Sequence, residues 1–118
     1  MSMDETTQLH VQELRRGTVV LACLVRLSTP EYGYALLETL SELGFSVDAG
    51  TLYPLLRRLE KQGLLSSAWN TDEARPRKFY TTSALGHELA ASLTTEWHSI
   101  DESLRALKKR GPQEGHCP

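Results

Sequence analysis

Cysteine is scarce in this sequence, which excludes a fold held together by a disulfide framework. Two of the 118 residues are cysteines: Cys23 lies in an apolar stretch and Cys117 in the C-terminal sequence GPQEGHCP. We therefore expect reduced thiols and a cytoplasmic location. His116 beside Cys117 supplies two potential metal ligands, whereas structural zinc takes four, so no metal site is predicted.

Long apolar runs and catalytic motifs are also missing. No apolar run approaches the roughly 20 residues of a transmembrane helix, and the N-terminal sequence MSMDETTQLH is too polar and acidic for a secretion signal. The sequence has no glycine-rich phosphate loop, no nucleophile elbow and no pair of carboxylates in a tuned environment. We therefore predict no membrane partner, no enzymatic activity and no cofactor.

The net charge is small, at −2, and an even distribution of that charge would argue against binding to nucleic acid. The charges are uneven, because residues 50–80 hold six cations and three carboxylates, a net charge of +3, which leaves −5 on the rest of the chain. A basic stretch on an acidic body is typical of a DNA-binding protein with a modest isoelectric point. A solvated charged face is the alternative.

What the sequence does have is apolar residues at helical spacing. Leucines and valines three and four residues apart predict a first helix over about 7–28, which a Thr-Pro pair ends. A second helix is predicted from residue 31 or 33 to 43, and a third contains the segment GTLYPLLRRLE. Gly44 and Gly63 follow the second and third helices, where a left-handed C-terminal cap is expected.

The next elements complete a winged helix. The connector FSVD offers Ser46 or Asp48 as the N-cap of the third helix, and two helices joined by a turn of about four residues suggest a helix-turn-helix. The segments at 64–69 and 77–82, separated by the polar sequence NTDEARP, predict a β-hairpin with a basic returning strand. A helix-turn-helix followed by such a ribbon is a winged helix.

Ser83 can cap a last helix running to about Arg110, which at 1.5 Å per residue is about 40 Å long. This length exceeds what a small head can cover. We therefore divide the chain into a DNA-binding head over 1–82, a C-terminal dimerisation helix over 83–110 and a disordered tail over 111–118.

Apolar residues four and three apart on the last helix predict a seam for a partner helix. The first helix is also richer in apolar residues than one small head needs, so we expect a homodimer that buries both terminal helices. A single long helix folded over its own head is the alternative. The predicted interface residues are Leu9, Leu93, Trp97, Ile100, Leu104 and Leu107. The predicted fold class is mainly α with a small β-hairpin, a winged helix-turn-helix with a long C-terminal dimerisation helix.

Pro54 is unexpected in the third helix, because proline removes a backbone donor and crowds the preceding turn. A helical wheel places the leucines on one side, and on the other it gathers Gly50, Tyr53, Pro54, Arg57 and Lys61. A face that is small and smooth and then basic allows close approach of a DNA backbone or base edge. The amides of the helix N-terminus favour phosphate.

The sequence GTLYPLLRRLEKQGLL followed by RPRKFYTTSALG resembles the signature of the PadR family of winged-helix transcription regulators, and YGYALLETL at 32–40 resembles the family's second helix. The resemblance covers about residues 9–107. Thr82-Ser83 replaces the usual Leu-Thr, and NTDEARP lacks the paired glycines common at the wing tip. The chain also resembles the small single-domain subgroup that includes multidrug sensors, in which the first and last helices form the dimer.

The resemblance implies that the front of the third helix faces the major groove of double-stranded DNA, while the basic wing residues should contact the sugar-phosphate backbone. Arg15 and Arg16 could add phosphate contacts, and Trp69 resembles a structural residue of the wing root. Tyr34 could anchor a phosphate or be a half-buried aromatic. The candidate DNA-binding residues are Tyr34, Ala49, Gly50, Thr51, Tyr53, Arg57, Arg75, Arg77 and Lys78.

Trp97 is the candidate effector-binding residue. The sequence LTTEWHSID resembles the stretch of small drug-sensing PadR proteins in which a tryptophan stacks on planar lipophilic compounds, and Asp101, one turn on, could meet a cationic one. The alternative is that Trp97 only fills the dimer interface.

The function predicted from the sequence is a homodimeric, ligand-responsive transcriptional regulator that reads an inverted-repeat operator. Repression is favoured over activation. A winged-helix module that binds protein and not DNA is the first alternative. A metal-responsive regulator is the second, although the histidines are badly spaced for it.

Overall fold

The computed structural model describes residues 2–72 and 74–114, and they form five helices and three short strands. In chain order the elements are α1 (Met3–Arg16), α2 (Val19–Arg26), β1 (Glu31–Tyr32), α3 (Gly33–Glu42), α4 (Ala49–Lys61), β2 (Leu65–Asn70), β3 (Arg77–Thr82) and α5 (Ala84–Glu114). The fold is a mainly helical winged helix, as the sequence predicted.

The single first helix predicted over 7–28 is wrong, because two helices occupy this segment. Gly17 is the C-terminal cap of α1, and α2 begins two residues later at Val19. The apolar spacing continues through the break, but no residue of α1 is buried, whereas α2 buries Val19, Cys23 and Leu24. Glycine is a poor helix former, so a break costs little where the two halves do not share a packing surface.

The helix-turn-helix of α3 and α4 has the predicted caps. The Asp48 carboxylate accepts a hydrogen bond from the Thr51 amide at 2.8 Å, which caps α4. Gly44 and Gly63 both have positive φ, at 90° and 78°. The amide of Phe45 donates to the Leu40 carbonyl at 2.8 Å, so α3 ends in a Schellman motif.

The predicted hairpin is part of a three-stranded antiparallel sheet in the order β1-β3-β2. Of the two predicted starts of the second helix, 31 and 33, the structure has Gly33. Glu31 and Tyr32, just before it, pair with Tyr80 and Phe79. The rings of Tyr32 and Phe79 stack with centroids 4.2 Å apart. This extra strand joins the wing directly to the start of α3.

The core lies where α2, α3 and α4 meet the wing root. Its fully buried side chains are Cys23, Leu24, Leu27, Leu36, Leu40, Leu52, Leu56 and Leu59. The Thr82 hydroxyl is also buried and donates to the Leu24 carbonyl at 2.7 Å. The sequence predicted that Thr82 would lose an apolar contact made by the usual leucine. The hydroxyl of Thr82 makes a buried hydrogen bond in that place.

Ser83 caps α5 as predicted, accepting from the Gly86 amide at 3.0 Å. The helix runs on through residues 111–114, which were expected to belong to a disordered tail, and the remainder of that tail, 115–118, lies outside the described residues. The 31 residues of α5 span about 46 Å. Leu89, Ala90 and Leu93 pack against the core, and the later turns leave the head behind.

Candidate nucleic-acid interface

Helix α4 has an apolar inner face and an outer face of small residues. Leu52, Leu55, Leu56 and Leu59 are buried, whereas Pro54 is exposed. The missing donor of Pro54 therefore lies on the solvent side, where water can satisfy the carbonyl that it leaves unpaired. The helix keeps its core contacts despite the proline.

The space outside Gly50 is open. A Cβ added to Gly50 would meet no neighbour closer than the Asp48 carboxylate at 3.5 Å. Packing within the protein therefore does not require glycine here. This absence of an internal reason favours an external one, namely close approach by a ligand.

Gly33 explains the Tyr-Gly-Tyr sequence that opens α3. A Cβ at Gly33 would lie 2.6 Å from Cε1 of Tyr53, so the Tyr53 ring occupies the space that a larger residue would fill. The phenol of Tyr53 thus crosses from α4 to the start of α3. Tyr32 and Tyr34 lie on either side of this contact in the chain.

One groove between α4 and the wing collects most of the predicted DNA-binding residues. It has a volume of about 540 Å³, and its lining includes Tyr34, Tyr53, Arg57, Arg75, Arg77 and Lys78. The remaining three predicted residues, Ala49, Gly50 and Thr51, are exposed in the first turn of α4. Gly50 and Thr51 border a second groove with Arg16 and Arg58.

Tyr34 is exposed, which disfavours the half-buried alternative. A hydrogen bond to the Glu38 carboxylate, together with its negative charge, raises the pKa of Tyr34 above its ordinary value. The phenol is therefore protonated at neutral pH and donates its one O–H to Glu38, so a phosphate contact by Tyr34 requires that this hydrogen bond open.

Sequence reasoning missed Tyr32, Trp69 and Pro76, which also line the groove. Trp69 is 64% exposed, so the expectation of a structural wing-root tryptophan is wrong. The register supplies the reason: Trp69 stands opposite Lys78, far out on the hairpin and away from the core. The sequence signal that could have indicated its exposure was its position near the outer end of a predicted strand, opposite a basic strand.

The cations of the interface differ in their surroundings. Arg57 and Arg75 are exposed. The Arg77 guanidinium lies over the Tyr32 ring, 4.9 Å from its centroid. Lys78 is half-buried and pairs with Glu60 at 3.6 Å. The interface therefore has two exposed arginines, Arg57 on α4 and Arg75 on the wing, while Arg77 and Lys78 contact groups of the same chain.

Arg15 and Arg16 have other partners. Arg15 donates to the Leu43 carbonyl at 3.1 Å, and its guanidinium lies over the Phe45 ring at 5.1 Å. Arg16 pairs with Glu13 at 2.7 Å. Arg15 thus fastens the end of α1 to the turn between α3 and α4, a structural contact that the phosphate hypothesis overlooked.

Trp97 borders a separate apolar cleft of about 400 Å³ between α2, α3 and α5. Val25, Leu43 and Phe45 are among its other lining residues. Asp101 instead borders a different groove on α5, and its carboxylate pairs with Arg105 at 3.1 Å. The two predicted effector residues are therefore not brought into one cavity within a protomer.

The predicted interface residues fall into two groups. Leu9, Trp97, Ile100, Leu104 and Leu107 are all exposed, whereas Leu93 packs against the core of its own chain. Leu93 is thus partly buried by its own chain, unlike the other predicted interface residues. The exposed group leaves apolar surface on both terminal helices.

Within residues 2–72 and 74–114, no group of three or more His, Cys, Asp or Glu side chains is placed to hold a metal ion. Over the same part of the chain, no helix combines the length and the apolar character needed to cross a membrane.

Residues 20–92 match the Transcriptional regulator PadR-like family. The chain belongs to this family. It is 35% identical over 98 residues to Transcriptional regulator Rv3488 of Mycobacterium tuberculosis, a match that covers 82% of this chain and 89% of the relative.

Two solved PadR structures have the same architecture. A PadR family transcriptional regulator from Eggerthella lenta superposes with a TM-score of 0.82 at 42% identity, covering 88% of this chain and 93% of the other. A PadR-like regulator from Bacillus cereus gives a TM-score of 0.73 at 26% identity, covering 80% and 95%. These relatives are described as regulators of transcription and not as enzymes, which argues against enzymatic activity of this PadR-like chain.

Proposed function

We propose that the protein is a cytoplasmic, homodimeric transcriptional repressor that binds an inverted-repeat operator in double-stranded DNA. The observation that carries the proposal is the groove in which tyrosines of α3 and α4 meet arginines of α4 and the wing. Aromatic and cationic side chains on one surface suit a sugar-phosphate backbone, because arginine pairs with phosphate and a phenol donates to it.

In this proposal α4 enters the major groove with its first turn. Ala49, Gly50 and Thr51 are exposed there, and Gly50 leaves room for a base edge or a backbone. Arg57, two turns after Gly50, and Arg75 in the wing then contact phosphates on either side. The helix positions the base readout, and the wing adds sequence-independent affinity.

The homodimer is supported by the unpartnered apolar side chains of α1 and α5. Soluble monomers rarely leave a large contiguous apolar patch exposed. Leu104 and Leu107 lie beyond the part of α5 that the head covers, at 55% and 65% exposure. A twofold dimer through α1 and α5 would bury them and set two copies of α4 about one DNA turn, or about 34 Å, apart.

The salt dependence of DNA binding tests the proposal. Each arginine that neutralises a phosphate contributes about 0.9 to the slope of log affinity against log salt concentration. Arg75→Ala in both protomers should therefore reduce the slope and weaken binding to operator and random DNA alike. Lys109→Ala, which removes a cation from the far end of α5, is the matched control. If the protein instead bound a protein partner through its winged helix, Arg75→Ala would leave that binding intact. An unchanged affinity for DNA and an unchanged salt slope in Arg75→Ala would contradict the proposal.

A ligand response is the second proposal, and the cleft beside Trp97 favours it. Leu43 and Phe45 line this cleft and also flank Gly44 in the turn that leads to α4. A planar lipophilic compound stacked on Trp97 would therefore press on the segment that orients the recognition helix. Release of DNA requires that the compound bind the free dimer more tightly than the DNA-bound one.

Tryptophan fluorescence tests this second proposal, because the chain has two tryptophans, Trp69 and Trp97. Titration with a planar lipophilic cation should quench the wild-type protein and the Trp69→Phe variant, but not Trp97→Ala. Quenching that persists in Trp97→Ala would assign the compound to another site. Asp101→Asn shows whether the carboxylate adds affinity for the cation once the dimer forms.

A further inference from the structure

Glu60 joins the recognition helix to both strands of the wing. Its carboxylate accepts a hydrogen bond from the Ser67 hydroxyl of β2 through Oε2. Through Oε1 it pairs with the Lys78 ammonium of β3 at 3.6 Å. A single side chain of α4 is therefore tied to two adjacent strands.

The sheet register shows why this contact reaches the wing as a whole. Ser67 stands opposite Tyr80, and Trp69 stands opposite Lys78. Because side chains two residues apart share a face of a strand, these four residues lie on one face of the hairpin. Lys78 also lies over the Tyr80 ring, at 5.3 Å from its centroid, so its stem is held against the core. Glu60 thus contacts the wing on the face that carries Lys78 and Tyr80, which both line the groove.

The position of Glu60 on α4 connects it to the DNA-binding surface. Glu60 follows Tyr53 by seven residues, which places the two side chains on the same flank of the helix. Tyr53 lines the groove between α4 and the wing, and so do Trp69 and Lys78. The Glu60 contacts therefore join the helix and the hairpin, the two elements between which this groove lies.

We propose that Glu60 is a positioning residue for operator recognition: it sets the angle of the wing against α4 without touching DNA. The inference rests on the proposed DNA-binding function. Its carboxylate would repel phosphate, so a role through direct contact is disfavoured. Its removal releases the wing and frees the Lys78 ammonium to pair with any nearby phosphate. Discrimination between operator and random DNA then falls, while random DNA is bound as well as before or better.

The test compares the ratio of operator to random affinity across variants. Each protein is titrated against an operator fragment recovered by genome-wide mapping and against a shuffled fragment of equal length. Glu60→Ala should lower the ratio about threefold to tenfold, the size expected for losing one hydrogen bond and one partly exposed ion pair. Glu60→Gln retains an acceptor for Ser67 and should fall between Glu60→Ala and wild type. Ser67→Ala should lower the ratio in the wild-type background but not in Glu60→Ala.

Glu88→Gln on α5 is the matched control, because it removes one exposed carboxylate that takes no part in the Glu60 contacts. The ratio should not change in this variant. An equal fall in Glu88→Gln would assign the effect to net charge and overturn the proposal. An unchanged ratio in Glu60→Ala would overturn it directly.

A second readout does not require DNA. In a Trp97→Phe background Trp69 is the sole tryptophan, and its fluorescence anisotropy decay reports motion of the wing. Glu60→Ala should add a fast component to the decay, and Glu88→Gln should not. If wild-type protein showed no operator preference, the proposed function would fail, and the anisotropy alone would decide whether Glu60 holds the wing. An unaltered decay in Glu60→Ala would then refute the inference.

Discussion

At the scale of single residues, two helical glycines of this chain differ in the space around them. Gly86 is required inside the protein, since an added Cβ would lie 2.2 Å from the Leu64 carbonyl oxygen. Gly50 meets no such obstacle. Packing within the protein therefore accounts for Gly86 and does not account for Gly50.

Gly50→Ala should stabilise the protein and weaken its DNA binding. Alanine favours the helix over glycine by about 0.5 kcal/mol or more, and the new methyl group stands where DNA is proposed to approach. We expect operator affinity to fall about tenfold, which corresponds to about 1.4 kcal/mol. Urea unfolding and operator titration measure the two effects.

Gly86→Ala is the matched control for the two effects expected of Gly50→Ala, the gain in stability and the loss of operator affinity. It should destabilise the fold by about 1–3 kcal/mol through overpacking and should affect DNA binding only as far as it unfolds the protein. Unchanged operator affinity in a stabilised Gly50→Ala variant would contradict the close-approach account.

Cys23 should make stability depend on alkaline pH. Burial raises the pKa of this thiol to about 12, whereas an unfolded cysteine ionises near about 8.5. Between these values the unfolded chain binds fewer protons, so stability is retained at lower pH and is lost as pH rises. The loss from pH 8 to 10 should be about 2 kcal/mol. Urea unfolding of wild type and Cys23→Ala at both pH values isolates it, and equal losses in the two proteins would rule it out.

At the scale of elements, hydrogen bonds at junctions decide how the helices and the wing fit together. The Thr82 amide donates to the Leu27 carbonyl at 2.8 Å, and its hydroxyl donates to Leu24. The end of β3 is therefore fastened to the end of α2. This buried polar contact stands where the resemblance to the PadR signature predicts a leucine.

Thr82→Val should destabilise the protein although it preserves the shape of the side chain. The Leu24 carbonyl would lose its partner in a buried place, at a cost of about 1–3 kcal/mol. Thermal unfolding of Thr82→Val measures the cost, and Thr81→Val, at the preceding and less buried position, provides the comparison. Equal stability of the two variants would mean that the hydroxyl of Thr82 contributes nothing.

The helix caps were predictable because they depend on neighbouring residues. Gly44, Asp48 and Gly63 announce their roles by residue type and by distance from an apolar periodic segment. The break at Gly17 was not predictable in the same way, since the apolar spacing runs through it. The break is explained by the structure, in which α1 buries no residue and ends at Arg16.

The candidate site was predictable where it depends on one element and not where elements meet. The outer face of α4 follows from helical periodicity. The Lys78–Glu60 pair joins residues from α4 and β3, so no local pattern indicates it. The exposure of Trp69 likewise depends on which face of the hairpin turns toward the core.

At the scale of the whole molecule, a long helix with an apolar outer surface implies a partner. The chain extends 71 Å along its longest axis but only 19 Å along its shortest. Such a shape leaves most of α5 without cover from the head. A second copy of the chain offers the same surface and can close it with twofold symmetry.

Leu104→Glu combined with Leu107→Glu should convert the proposed dimer into a monomer, because four carboxylates would be buried at its interface. Sedimentation velocity measures the change in mass, and the melting temperature should lose its dependence on protein concentration. Leu85→Glu, an exposed leucine at the head end of α5, is the control and should remain dimeric. A wild-type protein that sediments as a monomer would contradict the dimer.

The most direct measurement of the central claim is competition binding with DNA fragments recovered by genome-wide mapping. Purified dimer is titrated with a mapped promoter fragment in the presence of excess random DNA at moderate ionic strength. A regulator that reads sequence with α4 and holds the backbone with its wing should prefer the promoter fragment by at least about a thousandfold. Equal affinity for promoter and random DNA would contradict the account.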